Sequence, residues 1–308
     1  MDQAKGSEPM STSKRLSQVL ADSKVIHFDE SSRFVLMSDC HRGDGSWGDN
    51  FSNNQNLFFA ALSYYYESGF TYIELGDGDE LWENRSMENI ISTHSDAFWL
   101  MSLFYKDHRL HMLYGNHDIV KKDPRYTQTK CHSFYCDSVN SNVSLFPKIE
   151  IIEGIILKYK HSNYQILLTH GHQGDAINDP LWKIGRFLVR YFWRPLELLG
   201  IHDPTSASKN NERKNVIERN LMDWSRKEKQ MLITGHTHRP VFPKVGEVLY
   251  FNDGSCVHPR CVTAIEIRNG MISLVKWAEM TKPDRTLFVG REILEPPVRL
   301  NDYFSAIK

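Results

Sequence analysis

The sequence predicts an α/β protein in which two β-sheets pack together with helices on the outside. Three observations lead there. From Arg33 to Tyr114, short apolar runs alternate with helical patterns, the order that right-handed crossovers and a mainly parallel sheet produce. Later stretches read instead as antiparallel hairpins: Lys148–Ile152 with Ile155–Tyr159 around Glu153-Gly154, and Val262–Ile267 with Met271–Trp277 around Asn269-Gly270. Finally, five apolar runs end in Asp, Asn or His. Phe34–Met37 leads to Asp39 and His41, and Tyr72–Leu75 leads to Asp77. Leu110–Tyr114 leads to Asn116, His117 and Asp118, Tyr164–Leu168 to His170 and His172, and the MLITG run from Met231 to His236 and His238. Sites in open α/β sheets lie just beyond the carboxyl ends of the strands, so these residues are expected to share one pocket.

Taken in order, residues 1–24 read as a flexible N-terminal segment with a short helix near Arg15–Ala21, and 25–308 as the folded domain. Asn56–Glu67 reads as a helix burying Leu57, Ala60, Ala61, Leu62 and Tyr65, with Gly69 at its C-terminal cap. Met87–Tyr105 reads as one longer helix whose apolar face includes His94, a structural histidine. A helical insertion is expected at about 176–229. Pro180 opens its first helix, which stops or kinks near Pro195. Lys183, Arg186, Arg190 and Arg194 form a basic stripe there, surrounded by Leu181, Trp182, Ile184, Phe187, Phe192 and Trp193. Two readings stand side by side: a helix packed on the domain with solvated cations, or a lid presenting cations to phosphate and apolar surface to a greasy group. A polar loop, Ser206–Asn211, then precedes a helix over Asn215–Arg226 with Val216, Ile217, Leu221 and Trp224 facing inward.

Composition bounds the function. The 308-residue chain carries a formal net charge of −1, which calls for neither nucleic acid nor an anionic membrane as partner. Its 5 cysteines are odd in number and unpatterned, as expected of reduced thiols in a cytoplasmic protein. The N-terminus lacks the apolar core of an export signal. No apolar run reaches the roughly 20 residues that span a bilayer.

Asp, Asn and His are ligands for hard and borderline divalent metals. The strand ends supply Asp39, His41, Asp77, Asn116, His170, His236 and His238, enough for two cations sharing one carboxylate. Such a pair clamps a phosphate oxygen and lowers the pKa of water. His117 would lie beside it as proton donor or charge stabiliser, oriented by Asp118. Arg42 and His172 are candidate phosphate contacts, alongside Lys183, Arg186, Arg190 and Arg194. Arg42 could equally pair with Asp44 or Asp49, and His172 could support the ligands from behind. Asp79 and Glu80 suit helix-start or ligand-supporting roles.

In this set, DCH (Asp39–His41), GDGDE (Gly76–Glu80), GNHD (Gly115–Asp118), Thr169-His170 and GHTH (Gly235–His238) resemble the motifs of the calcineurin-like metallophosphoesterase superfamily, in the family's order. The resemblance implies a four-layer α/β/β/α sandwich, here with a helical lid insertion. It also implies that a first metal takes Asp39, His41, Asp77 and His238, and a second takes Asp77, Asn116, His170 and His236. His117 is then the catalytic histidine. Manganese and iron are the metals it points to first, with zinc, nickel or magnesium as further options. The layout LGDGDELW (Leu75–Trp82) and the insertion after His170 look most like UDP-diacylglucosamine pyrophosphohydrolases. The chain departs from them at His117, where they usually carry Arg, and at Arg42, where they carry Leu.

The expected activity is hydrolysis of a phosphomonoester, phosphodiester or pyrophosphate by metal-activated hydroxide. The substrate would be a small molecule, nucleotide- or lipid-linked, with at most peripheral membrane contact. The competing class is a catalytically silent metal-binding scaffold for protein partners. Metal content and turnover separate the two.

Overall fold

The computed structural model describes residues 11–136, 140–175, 178–193 and 210–306. Strand β1 (Lys24–Phe28) follows a first helix, Thr12–Asp22. Then come β2 (Arg33–Met37), β3 (Thr71–Glu74) and β4 (Leu110–Leu113), with helices Gln55–Glu67, Met87–Thr93 and Ser95–Lys106 between them. After helix Pro124–Lys130 lie β5 (Ser133–Cys136), β6 (Ser141–Ser144), β7 (Ile151–Ile152), β8 (Gly154–Tyr159) and β9 (Gln165–Thr169). Helices Trp182–Leu188 and Asn211–Glu228 precede β10 (Met231–Thr234) and β11 (Tyr250–Asn252). The described chain closes with β12 (Cys261–Arg268), β13 (Met271–Thr281), β14 (Leu287–Arg299) and helix Leu300–Ser305.

Two sheets carry the domain, with strand orders β14-β13-β12-β2-β3-β4-β7 and β1-β8-β9-β10-β11. In the first, β2, β3, β4 and β7 run parallel, and β12, β13 and β14 add antiparallel strands at one side. Side chains alternate across a strand, and here the alternation feeds three apolar layers. Phe34, Leu36, Ile73 and Leu113 from one sheet meet Leu157, Ile166, Leu168 and Ile233 from the other, filling the space between them. Val35, Met37, Tyr72 and Met112 point away, against Phe58, Leu62, Phe98 and Met101 of the outer helices. Leu167, Leu232 and Tyr250 face out of the second sheet, against Leu16 and Val19 of the first helix and Leu221 and Trp224 of helix Asn211–Glu228. The result is the expected α/β/β/α sandwich, and it sets the carboxyl ends of β2, β3, β4, β9 and β10 around a single pocket.

Several local expectations are corrected. Lys148–Tyr159 is not a hairpin: β7 pairs with β4 in one sheet, whereas β8 pairs with β1 and β9 in the other. Glu153-Gly154 is therefore a crossover between sheets. Gly154 is required there by a close approach, since a Cβ would lie 2.3 Å from Ser23 Oγ and 2.8 Å from Val19 Cγ1. The hairpin partner of β8 is β9. The turn at Asn269-Gly270 forms as expected, both residues having φ near +60° (54° and 69°), the signature of a type I′ turn. The long helix over Met87–Tyr105 breaks at His94 (φ −111°, ψ 37°), whose ring nitrogens lie 2.8 Å from Asp49 Oδ2 and 2.9 Å from Gln55 Oε1. Two tertiary side-chain partners thus hold His94 at the break. On helix Gln55–Glu67, Phe58 rather than Ala60 is buried, and Val216 on the later helix is exposed. The helix expected at Pro180 starts at Trp182. The kink near Pro195 and most of the loop Ser206–Asn211 lie outside the described residues. Strands β1, β11 and β14 lack an apolar run long enough to announce them. No helix among the described residues is long and apolar enough to cross a membrane.

Candidate metal centre

Backbone geometry at the strand ends is unusual in a consistent way. Asp39, His41, Asp77, His236 and His238 all hold positive φ, between 48° and 68°. Asp, Asn and His enter this left-handed region more readily than other side chains, and such conformations cluster at functional sites. They persist because neighbouring loops pin them. His41 N donates to Asp77 O (2.9 Å), Asp39 N to Gly76 O (3.1 Å), His117 N to Asp77 Oδ1 (2.7 Å) and His236 N to Asp39 Oδ2 (2.8 Å). Gly115 admits this packing, because a Cβ there would stand 2.1 Å from Asp77 Oδ1.

Ligand atoms converge in two clusters. Asp39, His41 and His238 bring one oxygen and two nitrogens within 4.8 Å of one another, and Asp77, His170 and His236 do the same. His41 Nε2 lies 3.7 Å from Asp39 Oδ1 and 3.9 Å from Asp77 Oδ2, so Asp77 sits between the clusters. His238 Nε2 approaches Asp39 Oδ1 at 3.0 Å and His170 Nε2 approaches Asp77 Oδ2 at 3.1 Å. Yet Asp39 Oδ1, His170 Nε2, His236 Nε2 and Asn116 Oδ1 are buried without an aligned hydrogen-bond partner. Buried polar atoms are nearly always bonded. Four such atoms aimed at shared space fit divalent cations, for which oxygen and imidazole nitrogen are suitable donors. The tautomers agree with this: His170 Nδ1 donates to the Leu75 carbonyl (2.9 Å) and His41 Nδ1 to Glu80 (2.8 Å), which leaves each Nε2 for the pocket.

Electrostatics point the same way. Burial disfavours charge on Asp77, but His170, His117 and His41 outweigh it and hold the carboxyl well below its ordinary range. Asp39 is lowered likewise by His238 and His170. Burial pushes His170 down, while Asp77 and Asp39 more than compensate and raise it to about 9. His41 is raised by Asp39 and Glu80 against the same burial cost. His236 falls to about 3 through burial and the proximity of His170. The two buried carboxylates thus raise the proton affinity of His41 and His170.

Around this centre the sequence expectations divide. His117 stacks on Trp82, with centroids 4.6 Å apart and planes at 23°. Its Nδ1 bonds Glu80, not Asp118 as expected. Asp118 is turned away. It accepts from Gly115 N (2.7 Å), Gly78 N (3.2 Å) and Lys121 Nζ (2.8 Å). Glu80 therefore bridges His41 and His117, in keeping with the ligand-supporting role considered for it and not the helix start.

Arg42 does not face a phosphate, and it pairs with neither Asp44 nor Asp49. It is 0% exposed, with both terminal nitrogens on Glu74 (2.8 and 2.9 Å) and Nε on Asp79 (2.7 Å). Lys121, unremarked in the sequence, joins this floor by pairing with Asp79 and Asp118. His172 is also fully buried, with its ring 5.4 Å from that of His170, and burial together with His170 and His236 keeps it uncharged. It stands behind the ligands, not at a surface where phosphate would arrive. The nearby carboxylates Glu153 and Asp179 are already bridged by Arg15. The basic stripe splits. Lys183 and Arg186 lie over Trp182, and Arg190 donates to the carbonyls of Leu81, Trp82 and Asn84. Arg194 lies outside the described residues.

Two outcomes follow. At neutral pH, metal binding should release protons, because His41 and His170 hold raised pKa values in the metal-free pocket and must deprotonate to ligate. Affinity should rise with pH through about 9, the range in which His170 loses its proton. Calorimetry in buffers of differing ionisation enthalpy checks this, and a heat independent of buffer would contradict it. Arg42→Ala should cost about 3–5 kcal/mol, since it strands the buried Glu74 carboxylate and removes one of the two cations on Asp79. A urea midpoint within experimental error of the unsubstituted protein would refute that reading.

Residues 32–240, more than half of the chain, match the calcineurin-like phosphoesterase family. A search of curated proteins returned no match. Among solved structures, the chain is similar to Vps29 of Chaetomium thermophilum, with 11% identity, a TM-score of 0.40, and coverage of 87% of this chain and 100% of that one. The motif match, together with the clustered ligand atoms, places the chain in the calcineurin-like phosphoesterase family, which implies metal-dependent hydrolysis of phosphoesters in general.

Proposed function

We propose that the chain is a two-metal phosphoesterase acting on a small phosphate ester or anhydride. The observation that carries this reading is the set of buried, unpartnered donor atoms on Asp39, Asn116, His170 and His236. Asp39, His41, Asp77 and His238 would hold one cation and Asp77, Asn116, His170 and His236 the other, with Asp77 shared. Two divalent cations bound there supply Lewis acidity towards phosphate oxygens and lower the pKa of water.

The chain's own groups do the rest. His117 has its Nδ1 fixed by Glu80, which leaves Nε2 to carry the mobile proton. Burial lowers its pKa, but Glu80 and Asp77 outweigh that and raise it above the ordinary imidazole value. It is 23% exposed at its side chain, more open than His41 or His238. It therefore suits delivery of a proton to a departing alkoxide. Trp82 covers one face of the ring and restricts its rotation.

Leu181, Ile184, Phe187, Leu188 and Tyr191 are all exposed on the helical stretch at 181–193. They support a substrate bearing an apolar group, nucleotide- or lipid-linked, and at most peripheral membrane contact. Free thiols at Cys40, Cys131, Cys256 and Cys261 support a reducing, cytoplasmic setting. Manganese or iron suits the mixed oxygen and imidazole donors.

Turnover of p-nitrophenyl phosphate, its bis-ester and nucleotide diphosphate sugars with added manganese is the direct assay. His117→Ala should lower kcat by about 10²–10⁴ with metal content unchanged. Asp77→Asn should lose metal as well as activity. Hydrolysis of none of these substrates, or full activity in His117→Ala, would overturn the proposal.

A further inference from the structure

An amide ligand has two unlike ends, and only the oxygen can hold a cation. Asn116 must therefore present Oδ1 to the pocket and dispose of its two N–H donors elsewhere. Its Nδ2 donates to Asn178 Oδ1 across a long 3.4 Å contact. Asn178 lies between β9 and helix Asn211–Glu228 and is 7% exposed. It poses the same two-ended problem, and the structure resolves it. Asn178 Nδ2 donates to Asp175 Oδ2 at 2.8 Å. Asp175 in turn accepts at both oxygens from Arg213 Nη2, at 2.6 and 2.9 Å. Arg213 sits in the first turn of helix Asn211–Glu228, with its own amide capped by the Asn210 side chain at 3.1 Å.

The polarity of this chain of bonds is forced from one end. A guanidinium only donates, and a carboxylate only accepts. Asp175 must therefore face the amino end of Asn178, which turns Asn178 Oδ1 towards Asn116. That oxygen meets the amino end of Asn116, which leaves Asn116 Oδ1 facing the ligand cluster. The observed state agrees, because Asn116 Oδ1 is the atom left without a partner.

We infer that Asn178 is a positioning residue, and that the relay Arg213–Asp175–Asn178 sets which end of the Asn116 amide faces the second cation. The inference rests on the two-metal reading above. It assigns the helix Asn211–Glu228 a share in metal affinity although it carries no ligand of its own. The same helix braces the other cation's loop: Glu218 accepts from Thr237 Oγ1 at 2.8 Å and from Arg239 Nε at 3.1 Å, on either side of His238.

Manganese titration of the full chain by calorimetry tests the relay without relying on turnover. The unsubstituted protein should bind two equivalents. Asn178→Ala should weaken one of the two by about 10–100-fold, the usual effect of losing an outer partner, and leave the other unchanged as an internal control of folding. Asp175→Asn, which removes the fixed polarity while keeping the shape, should weaken the same site. The decisive comparison uses Asn116→Asp, whose side chain ends in oxygen both ways. In that background Asn178→Ala should change affinity less than about threefold, because no orientation remains to be set. The relay is overturned if the unsubstituted protein binds two equivalents and Asn178→Ala leaves both affinities intact. It is equally overturned if the loss is the same in the Asn116→Asp background, since that is general damage. Fewer than two equivalents in the unsubstituted protein would instead remove the two-metal reading, and the relay with it.

Discussion

Two carboxylates, Asp39 and Asp77, are buried at the meeting point of five strand ends and must be neutralised there. Burial of charge is costly unless it is paired, and the rest of the site can be read as the answer to that cost. The raised proton affinity of His41 and His170 is one response to it. Under the proposed two-metal reading, two dications would meet it fully and leave an excess of two positive charges, which a phosphate dianion would cancel. On that same reading, the charge balance would also favour phosphate as the ligand.

Holding those carboxylates requires a rigid frame. The inter-sheet core fixes where the strands end, and left-handed residues turn the chain sharply beyond β2, β3, β9 and β10. Beneath them lies a fully buried floor of Arg42, Glu74, Asp79, Lys121 and Asp118, in which every charge is paired. A network of this kind is weak evidence for stability as such. Here its effect is positional: Asp118 and Arg42 bond the turns that carry Asp77 and Asn116, and Glu80 ties His41 to His117.

Much of this was legible in the sequence, because strand-end ligands follow short apolar runs and their residue types are restricted by chemistry. The seven proposed ligands and His117 could be named that way. Arg42 was misread because its burial depends on Glu74 and Asp79, partners set by the pairing of β2 with β3 and not by local pattern. Asp118 was misread for a similar reason: adjacency to His117 suggested a bond, but the turn points the two side chains apart and Glu80 arrives from another loop. Glu153-Gly154 resembled a hairpin turn because two apolar runs flank a short polar pair, and the pairing of β7 with β4 but of β8 with β1 and β9 is set by distant strands. The helix break at His94 needed the tertiary partners Asp49 and Gln55. Asn178 carried no periodic signal at all.

The most direct measurement of the central claim is anomalous diffraction from crystals grown with manganese. Two peaks about 3.5–4 Å apart, bridged by Asp77, are the expected result. A single peak, or a pair that Asp77 does not touch, would contradict the account.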